Sequence, residues 1–133
     1  MSEELADLRR QGFDTLVCLL SEPELAELGL RGEREAAEAA GLAFEWHPVP
    51  DFSVPAGERF REALWEMSAR VKGGSAIAAH CRGSVGRSPL LIASLLVLEG
   101  EQPEDAWRMV SEARGVPVPD TDEQRRWIAT LRA

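Results

Sequence analysis

The chain has 133 residues, 44% of them hydrophobic and 29% charged, which is typical of one globular domain with a single core. The net charge of −8 argues against a general affinity for nucleic acid or for an anionic membrane. Two cysteines make no disulfide framework, and no signal peptide or apolar membrane span is recognised. We therefore expect a single domain over residues 1–133, monomeric and cytoplasmic, without stable membrane association.

The first half of the chain alternates predicted helices with predicted strands. Ser21 and Glu24 form the capping-box pattern that starts a helix, and Gly29 ends that helix. Cys18 lies within a buried strand, where it is expected to act as a small core side chain. The predicted elements are a helix over 2–12, a strand over 14–20, helices over 21–29 and 33–41, and a strand over 42–49.

Residues 48–55 are predicted to form an extended loop. Their three prolines exclude this segment from a helix and from the middle of a sheet. Asp51 stands within the loop, thirty residues before Cys81, and it either caps a turn or serves a site. A helix with one apolar face follows, from residue 55 or 56 to residue 71.

The second half of the chain is centred on a cysteine between a strand and a helix. A short apolar strand over 75–79 leads to Cys81, and a strongly apolar helix over 90–98 follows. Pro89 suits the first turn of that helix, because its missing N–H group has no partner there. The cysteine therefore ends a strand, a loop of small residues follows, and Arg87 opens a buried helix.

The loop between Cys81 and Arg87 has the composition of an anion-binding loop. It consists of Arg82, Gly83, Ser84, Val85 and Gly86. Its small residues allow successive backbone N–H groups to point inward, towards the positive end of the following helix. Arg87 can grip two phosphate oxygens, and the same field favours the thiolate of Cys81, which is a nucleophile aimed at phosphorus.

The pattern His80-Cys81-x5-Arg87-Ser88 resembles the signature of the cysteine-dependent protein tyrosine and dual-specificity phosphatases. The resemblance implies that Cys81 attacks a phosphate group held by Arg87 and residues 82–86. It also implies that the Ser88 hydroxyl stabilises the Cys81 thiolate, that His80 orients the loop, and that no metal or organic cofactor is required. A buried structural cysteine is the alternative, but it leaves Arg87 unexplained.

The loop around Asp51 resembles the general-acid loop of the dual-specificity-type phosphatases, in which an aspartate follows a Pro-x-Pro pattern. A phosphate ester departs with an oxygen that needs a proton, so the resemblance assigns Asp51 as the general acid. The same resemblance supplies a second interpretation of Cys18, because some related phosphatases protect their nucleophile as a disulfide.

Two further helices are predicted near the C-terminus, over 103–113 and from Thr121 onward. Thr121 and Gln124 have capping-box spacing. The same segment partly resembles the loop that carries a water-positioning glutamine in tyrosine phosphatases, although Asp120 stands where that pattern has a glutamine. Both interpretations stay open, and capping is preferred.

Strands that alternate with helices predict an α/β fold with a mostly parallel central sheet and helices on both faces. The active-site loop is expected between a central strand and a buried helix, at the carboxyl ends of the strands. His47 is interpreted as a structural or surface residue. With two histidines in the chain, no cluster of metal ligands is expected.

The expected substrate is phosphotyrosine or phosphoserine/threonine in a protein. The alternative is a small phosphorylated metabolite or a phosphoinositide, although the loop has only one variable cation, Arg82, and phosphoinositide phosphatases resembling this chain carry more. Two other interpretations are a pseudophosphatase that binds phosphorylated partners without turnover and a rhodanese-like sulfur carrier. Persulfide transfer would require neither Asp51 nor Ser88.

Overall fold

The computed structural model describes residues 2–49, 54–55, 58–80, 87–115, 117–119 and 121–132. The strands in these residues are β1 (Thr15–Cys18), β2 (Ala43–Trp46) and β3 (Ile77–His80). The helices are α1 (Ser2–Arg10), α2 (Glu22–Leu28), α3 (Glu33–Ala39), α4 (Arg59–Lys72), α5 (Arg87–Leu98), α6 (Pro103–Arg114) and α7 (Asp122–Trp127), and a 3-10 helix follows at Ile128–Arg132. None of the described helices has the length and apolar character needed to span a membrane.

The three strands form a parallel sheet in the order β2-β1-β3. Cys18 is in register with Trp46 on one side and with His80 on the other, so the carboxyl ends of all three strands meet at one edge. The predicted parallel α/β architecture is confirmed. This edge is the one from which the chain continues towards Cys81.

The strand that leads to Cys81 lies at the side of the described sheet and not in its centre. A central strand was expected there from the sequence, but among the described strands the middle position belongs to β1, whose four residues are all buried. All four residues of β3 are partly exposed. Both segments are short and apolar, and the order of strands depends on contacts between distant parts of the chain that a local pattern does not encode.

Helices cover both faces of the sheet, as predicted. Val17 faces a large apolar core built with α4, α5 and α6, in which Leu64, Leu91 and Trp107 are almost fully buried. Leu16, the next residue along β1, faces a smaller cluster with α1 and α3. This alternation is expected of a strand with one helical layer on each side.

Several predicted helix ends are confirmed in atomic detail. The Ser21 hydroxyl accepts a hydrogen bond from the Glu24 backbone N–H group, and the Glu24 carboxylate accepts one from the Ser21 backbone, which completes the capping box. Gly29 ends α2 with φ +68°, a left-handed conformation that costs glycine little. The predicted helix start at residue 55 or 56 is wrong, because α4 begins at Arg59.

Candidate active site

The predicted site residues fall into two groups. Cys81, Arg82, Gly83, Ser84, Val85, Gly86 and Asp51 lie outside the residues that the structure describes. His80, Arg87, Ser88, Thr121 and Gln124 lie within them. The roles of the first group stay predictions. The second group can be examined directly, and two of its members, His80 and Arg87, bracket the segment 81–86.

Arg87 is the first residue of α5, and its side chain is buried, with only 1% of its surface exposed. Its Nη1 and Nη2 atoms donate to Oε1 and Oε2 of Glu24 at 2.7 and 2.8 Å. Nη1 also donates to the backbone oxygen of Val49 at 2.9 Å. This forked geometry fixes the plane of the guanidinium group, because two parallel charge-assisted hydrogen bonds resist rotation.

Glu24 therefore has two functions, and only its capping function was predicted from the sequence. Its carboxylate completes the capping box of α2 and also forms the ion pair with Arg87. The hydrogen bond from Arg87 outweighs the effect of burial and lowers the pKa of Glu24 from 4.5 to about 2, with further help from Ser21. The carboxylate is thus ionised at neutral pH. Capping spacing was the only local signal at this position, and it does not reveal a partner on α5.

His80 is held in a comparable way at the other end of the segment 81–86. Its Nε2 atom lies 2.8 Å from Oε1 of Glu33, the first residue of α3. Burial acts to lower the pKa of His80, but hydrogen bonds with Cys18 and Glu33 and the charges of these groups outweigh it and raise the pKa to about 10. His80 is therefore an imidazolium at neutral pH. The sequence predicted an orienting role for His80 but did not identify Glu33.

The remaining described site residues lie at helix starts. Ser88 follows Arg87 in the first turn of α5 and is 2% exposed. The Thr121 hydroxyl accepts a hydrogen bond from the Gln124 backbone N–H group at 3.1 Å, so the predicted capping role of Thr121 is confirmed. The Gln124 side chain is completely buried, and its water-positioning role stays a prediction.

No cluster of metal ligands was expected from the sequence, but the described residues bring three candidate donors together. Ligand atoms of Cys18, Glu33 and His80 all lie within 4.8 Å of one another. The register of the parallel sheet places Cys18 beside His80, and α3 adds Glu33, so residues far apart in sequence converge. The hydrogen bond between Glu33 and His80 already accounts for two of the three groups.

Cys18 has the core environment predicted for it. Its side chain is completely buried and packs with Leu20 and Leu25. Its thiol is free. The redox interpretation, which pairs Cys18 with Cys81, stays a prediction because Cys81 lies outside the described residues.

An open groove of about 300 Å³ is lined by Pro48 and Pro55, which stand on either side of Asp51 in the sequence. Its other lining residues are Trp46, His47, Arg59 and Phe60. His47 lies 3.0 Å from the Glu45 carboxylate and contacts the edge of the Phe60 ring, which accords with a structural role. Aromatic and apolar surface with one arginine is a suitable lining for a peptide segment.

Comparison with known families identifies one match over most of the chain. A family model described as "Polymorphic toxin system, DSP-PTPase phosphatase" matches residues 1–101. The matched range includes the segment 81–86, both of its flanking residues and Asp51.

Individual relatives extend the likeness to nearly the whole chain. Cyclin-dependent kinase inhibitor 3 of Rattus norvegicus is 22% identical over 134 residues, which cover 99% of this chain and 63% of the relative. Protein tyrosine phosphatase type IVA 3 of Mus musculus is 26% identical over 116 residues, which cover 86% of this chain and 62% of the relative. The chain thus spans less than two thirds of these relatives. The crystal structure of Tk-PTP in its active form has a TM-score of 0.82 and 29% identity, with 98% of this chain and 85% of that chain covered.

Proposed function

The chain belongs to the family of DSP-type protein tyrosine phosphatases described from polymorphic toxin systems, and on that premise we propose that it hydrolyses phosphomonoesters through a phosphocysteine intermediate at Cys81. The observation that carries the proposal is the fixed position of Arg87 at the start of α5, seven positions after His80, where β3 ends, and therefore six after Cys81. At this spacing, Arg87 can bind two oxygens of a phosphate group while the Cys81 thiolate attacks its phosphorus atom.

In the first step, the Cys81 thiolate attacks phosphorus and forms an S–P bond while the P–O bond to the leaving group breaks. Arg87 and the backbone N–H groups of residues 82–86 stabilise the charge on the equatorial oxygens. Asp51 transfers its proton to the leaving oxygen, so the product departs as a neutral alcohol or phenol.

In the second step, a water molecule attacks phosphorus and the S–P bond breaks. Asp51, now ionised, accepts a proton from that water, and inorganic phosphate is released. The Ser88 hydroxyl donates a hydrogen bond to the departing Cys81 thiolate. Because Asp51 must be protonated while Cys81 is ionised, the first step has an acidic pH optimum.

We propose phosphotyrosine or phosphoserine/threonine in proteins as the substrate. One relative is named protein tyrosine phosphatase type IVA 3. That name favours a phosphorylated protein as the substrate over the alternative of a small phosphorylated metabolite or phosphoinositide. The groove lined by Pro48 and Pro55 supports the same choice, because it offers Trp46, Phe60 and Arg59 to residues that flank a phosphorylated side chain.

The proposal includes a reaction that needs no metal and a monomeric enzyme in the cytoplasm without stable membrane association. The acidic composition supports the last point, since a net charge of −8 repels anionic surfaces. Activity in excess EDTA tests the metal requirement, and light scattering during gel filtration tests the oligomeric state.

Hydrolysis of para-nitrophenyl phosphate in the presence of EDTA is the primary test. We expect turnover by the wild type, no turnover by Cys81→Ser, and a loss of at least about tenfold for Asp51→Ala. The wild-type rate should fall from pH 5 to pH 8, and Asp51→Ala should flatten this profile. Phosphotyrosine and phosphoserine peptides then rank the substrate classes against a phosphoinositide.

Other outcomes identify the competing functions. Binding of a phosphotyrosine peptide without turnover would make the protein a pseudophosphatase. Sulfur transfer from thiosulfate to cyanide that is unaffected by Asp51→Ala would favour the rhodanese-like function. A flat profile from pH 5 to pH 8 in the wild type would contradict the assignment of Asp51 and Cys81 as acid and nucleophile.

A further inference from the structure

Two buried glutamates lie in the segment 22–39, which contains α2 and α3. The segment has six acidic residues, and four of them, Glu22, Glu27, Glu35 and Glu38, are exposed. Glu24 and Glu33 are 9% and 5% exposed. Buried glutamate is rare in proteins unless it has a charged partner, because removing a carboxylate from water is costly. Their burial therefore requires an explanation beyond solubility.

The partners of these two glutamates are the residues on either side of the segment 81–86. Glu33 contacts His80, the last residue before the segment, at 2.8 Å. Glu24 contacts Arg87, the first residue after it, at 2.7 and 2.8 Å. One short stretch of chain thus pairs with both ends of the loop that carries the predicted nucleophile.

Helix capping alone does not account for this arrangement. The capping box of α2 needs only the contacts between Ser21 and Glu24. Glu33 follows Gly32, which provides no side-chain cap for α3, and Glu33 is directed to His80 across the sheet edge. Two cations are thus paired with two carboxylates in a place where apolar residues would pack at lower cost in desolvation.

We propose that Glu24 and Glu33, which we call the glutamate clamp, are positioning residues that hold the two ends of the catalytic loop for phosphate binding and for thiolate formation. This proposal rests on the proposed function. Glu24 orients Arg87 by occupying the fork formed by Nη1 and Nη2, and phosphate is assigned to the second fork, formed by Nε and Nη2. Glu33 orients the imidazolium of His80, whose positive charge favours the neighbouring Cys81 thiolate.

The two halves of the clamp make different predictions. Glu24→Gln should weaken the binding of inorganic phosphate about tenfold or more, because the neutral amide presents an N–H group to the guanidinium. Glu33→Gln should leave phosphate affinity within about twofold but move the alkylation of Cys81 by iodoacetamide to higher pH, by at least about half a pH unit. Mass spectrometry separates the Cys81 peptide from that of the buried Cys18.

Asp14→Asn is the matched control. The Asp14 carboxylate also accepts several hydrogen bonds, from Ser75, Thr15 and the Ala76 backbone, but at the opposite end of the strands. This variant should lower the melting temperature without changing phosphate affinity or the pH dependence of Cys81 alkylation. All variants are compared at a temperature at which circular dichroism shows them folded, and Glu24→Asp, which retains the charge, replaces Glu24→Gln if the latter does not fold.

The readouts do not depend on turnover, so the clamp and the proposed function can fail separately. Absence of turnover in a wild type that binds phosphate would reject the proposed function while the clamp is still tested by affinity and alkylation. If Glu24→Gln and Glu33→Gln lower only the melting temperature, as Asp14→Asn does, the clamp is rejected and the two glutamates are structural. If both variants change the same readout, the separate roles of Glu24 and Glu33 are rejected.

Discussion

Both ends of the parallel sheet hold carboxylates through hydrogen bonds, but with partners of different kinds. At the amino end, Asp14 accepts hydrogen bonds from neutral donors, namely the hydroxyls of Thr15 and Ser75 and a backbone N–H group. At the carboxyl end, Glu24 and Glu33 face the cations Arg87 and His80. The hydrogen bonds of Asp14 join the start of β1 to the residues that precede β3. The ion pairs of Glu24 and Glu33, in contrast, hold charged groups at the two residues that bracket the segment with the predicted nucleophile.

This difference shows that the paired charges are concentrated at the carboxyl ends of the strands. Neutral donors satisfy Asp14 without burying a cation, so that end requires little desolvation. A buried ion pair often contributes no more to stability than apolar packing would. Removing one partner of such a pair nevertheless lowers the free energy of unfolding by about 3–5 kcal/mol, because the other charge is left buried and unpaired. The charged pairs of the carboxyl end are therefore better explained by the phosphate chemistry proposed there than by stability.

The largest expected effect comes from removing the fork of Arg87 while its charge is kept. Arg87→Lys should lower kcat/KM by about 100-fold or more, because an ammonium cannot bind the Glu24 carboxylate and a phosphate through two planar forks at once. Steady-state kinetics on para-nitrophenyl phosphate measure the effect, with Asp14→Asn as the control from the other end of the sheet. A loss below threefold would show that the planar fork has no role.

Acidic pH should weaken the contribution of Glu24 to the free energy of unfolding. Its folded-state pKa of about 2 lies below the ordinary 4.5, so the stability that it contributes is complete above pH 4.5 and is lost as pH falls towards 2. The difference in free energy of unfolding between wild type and Glu24→Gln should therefore shrink across this window. Urea denaturation at several pH values provides the measurement, and a constant difference would show that Glu24 is not an ionised partner of Arg87.

Alkaline pH should weaken the contribution of His80 to the free energy of unfolding. The contribution of Asp14, at the other end of the sheet, should not change over the same pH range. The pKa of His80 is raised from 6.5 to about 10, so the stability it contributes is complete below pH 6.5 and is lost as pH rises towards 10. The stability difference between wild type and Glu33→Gln should shrink over that range, while Asp14→Asn should show a constant difference. Among the described residues, the titratable groups near His80 include Glu33, Cys18 and Glu4, which lines the same cavity, and Cys81 follows His80 in the sequence.

Besides the two cysteines, few other side chains titrate in this alkaline window, because the chain has no tyrosine and a single lysine. Urea denaturation between pH 6.5 and pH 10 gives the result. An unchanged difference for Glu33→Gln would contradict the assignment of His80 as an imidazolium in the folded protein.

The smallest expected effect concerns the amino end. Ser75→Ala removes a hydroxyl that lies 2.6 Å from the Asp14 carboxylate, and we expect a loss of about 1 kcal/mol in the free energy of unfolding. Activity should stay within about twofold of wild type, since Ser75 lies at the end of β3 remote from Cys81. A change in kcat/KM larger than the change produced by Arg87→Lys would reverse the contrast between the two ends.

Local sequence signals predicted much of this architecture. The capping box of α2, the Thr121 cap of α7, the glycine that ends α2 and the apolar face of α4 depend on neighbouring residues, so short stretches of sequence predict them. Strand lengths were overestimated, because the predicted strand over 14–20 is confined to Thr15–Cys18 in the structure. Leu19 and Leu20 are as deeply buried as the strand residues, so their apolar character extended the predicted strand beyond Cys18, where the regular strand ends.

Residue types and their spacing predict the kind of site: a cysteine and an arginine six positions apart between a strand and a helix, with the acidic loop residue Asp51 upstream. Which groups hold Arg87 and His80 depends on how the chain folds. Glu24 and Arg87 are 63 positions apart and Glu33 and His80 are 47 apart, and no local pattern links them. Their pairing follows from the strand order β2-β1-β3 and from the packing of α2 and α3 at one edge, because a buried charge takes whatever partner the fold brings within hydrogen-bonding distance.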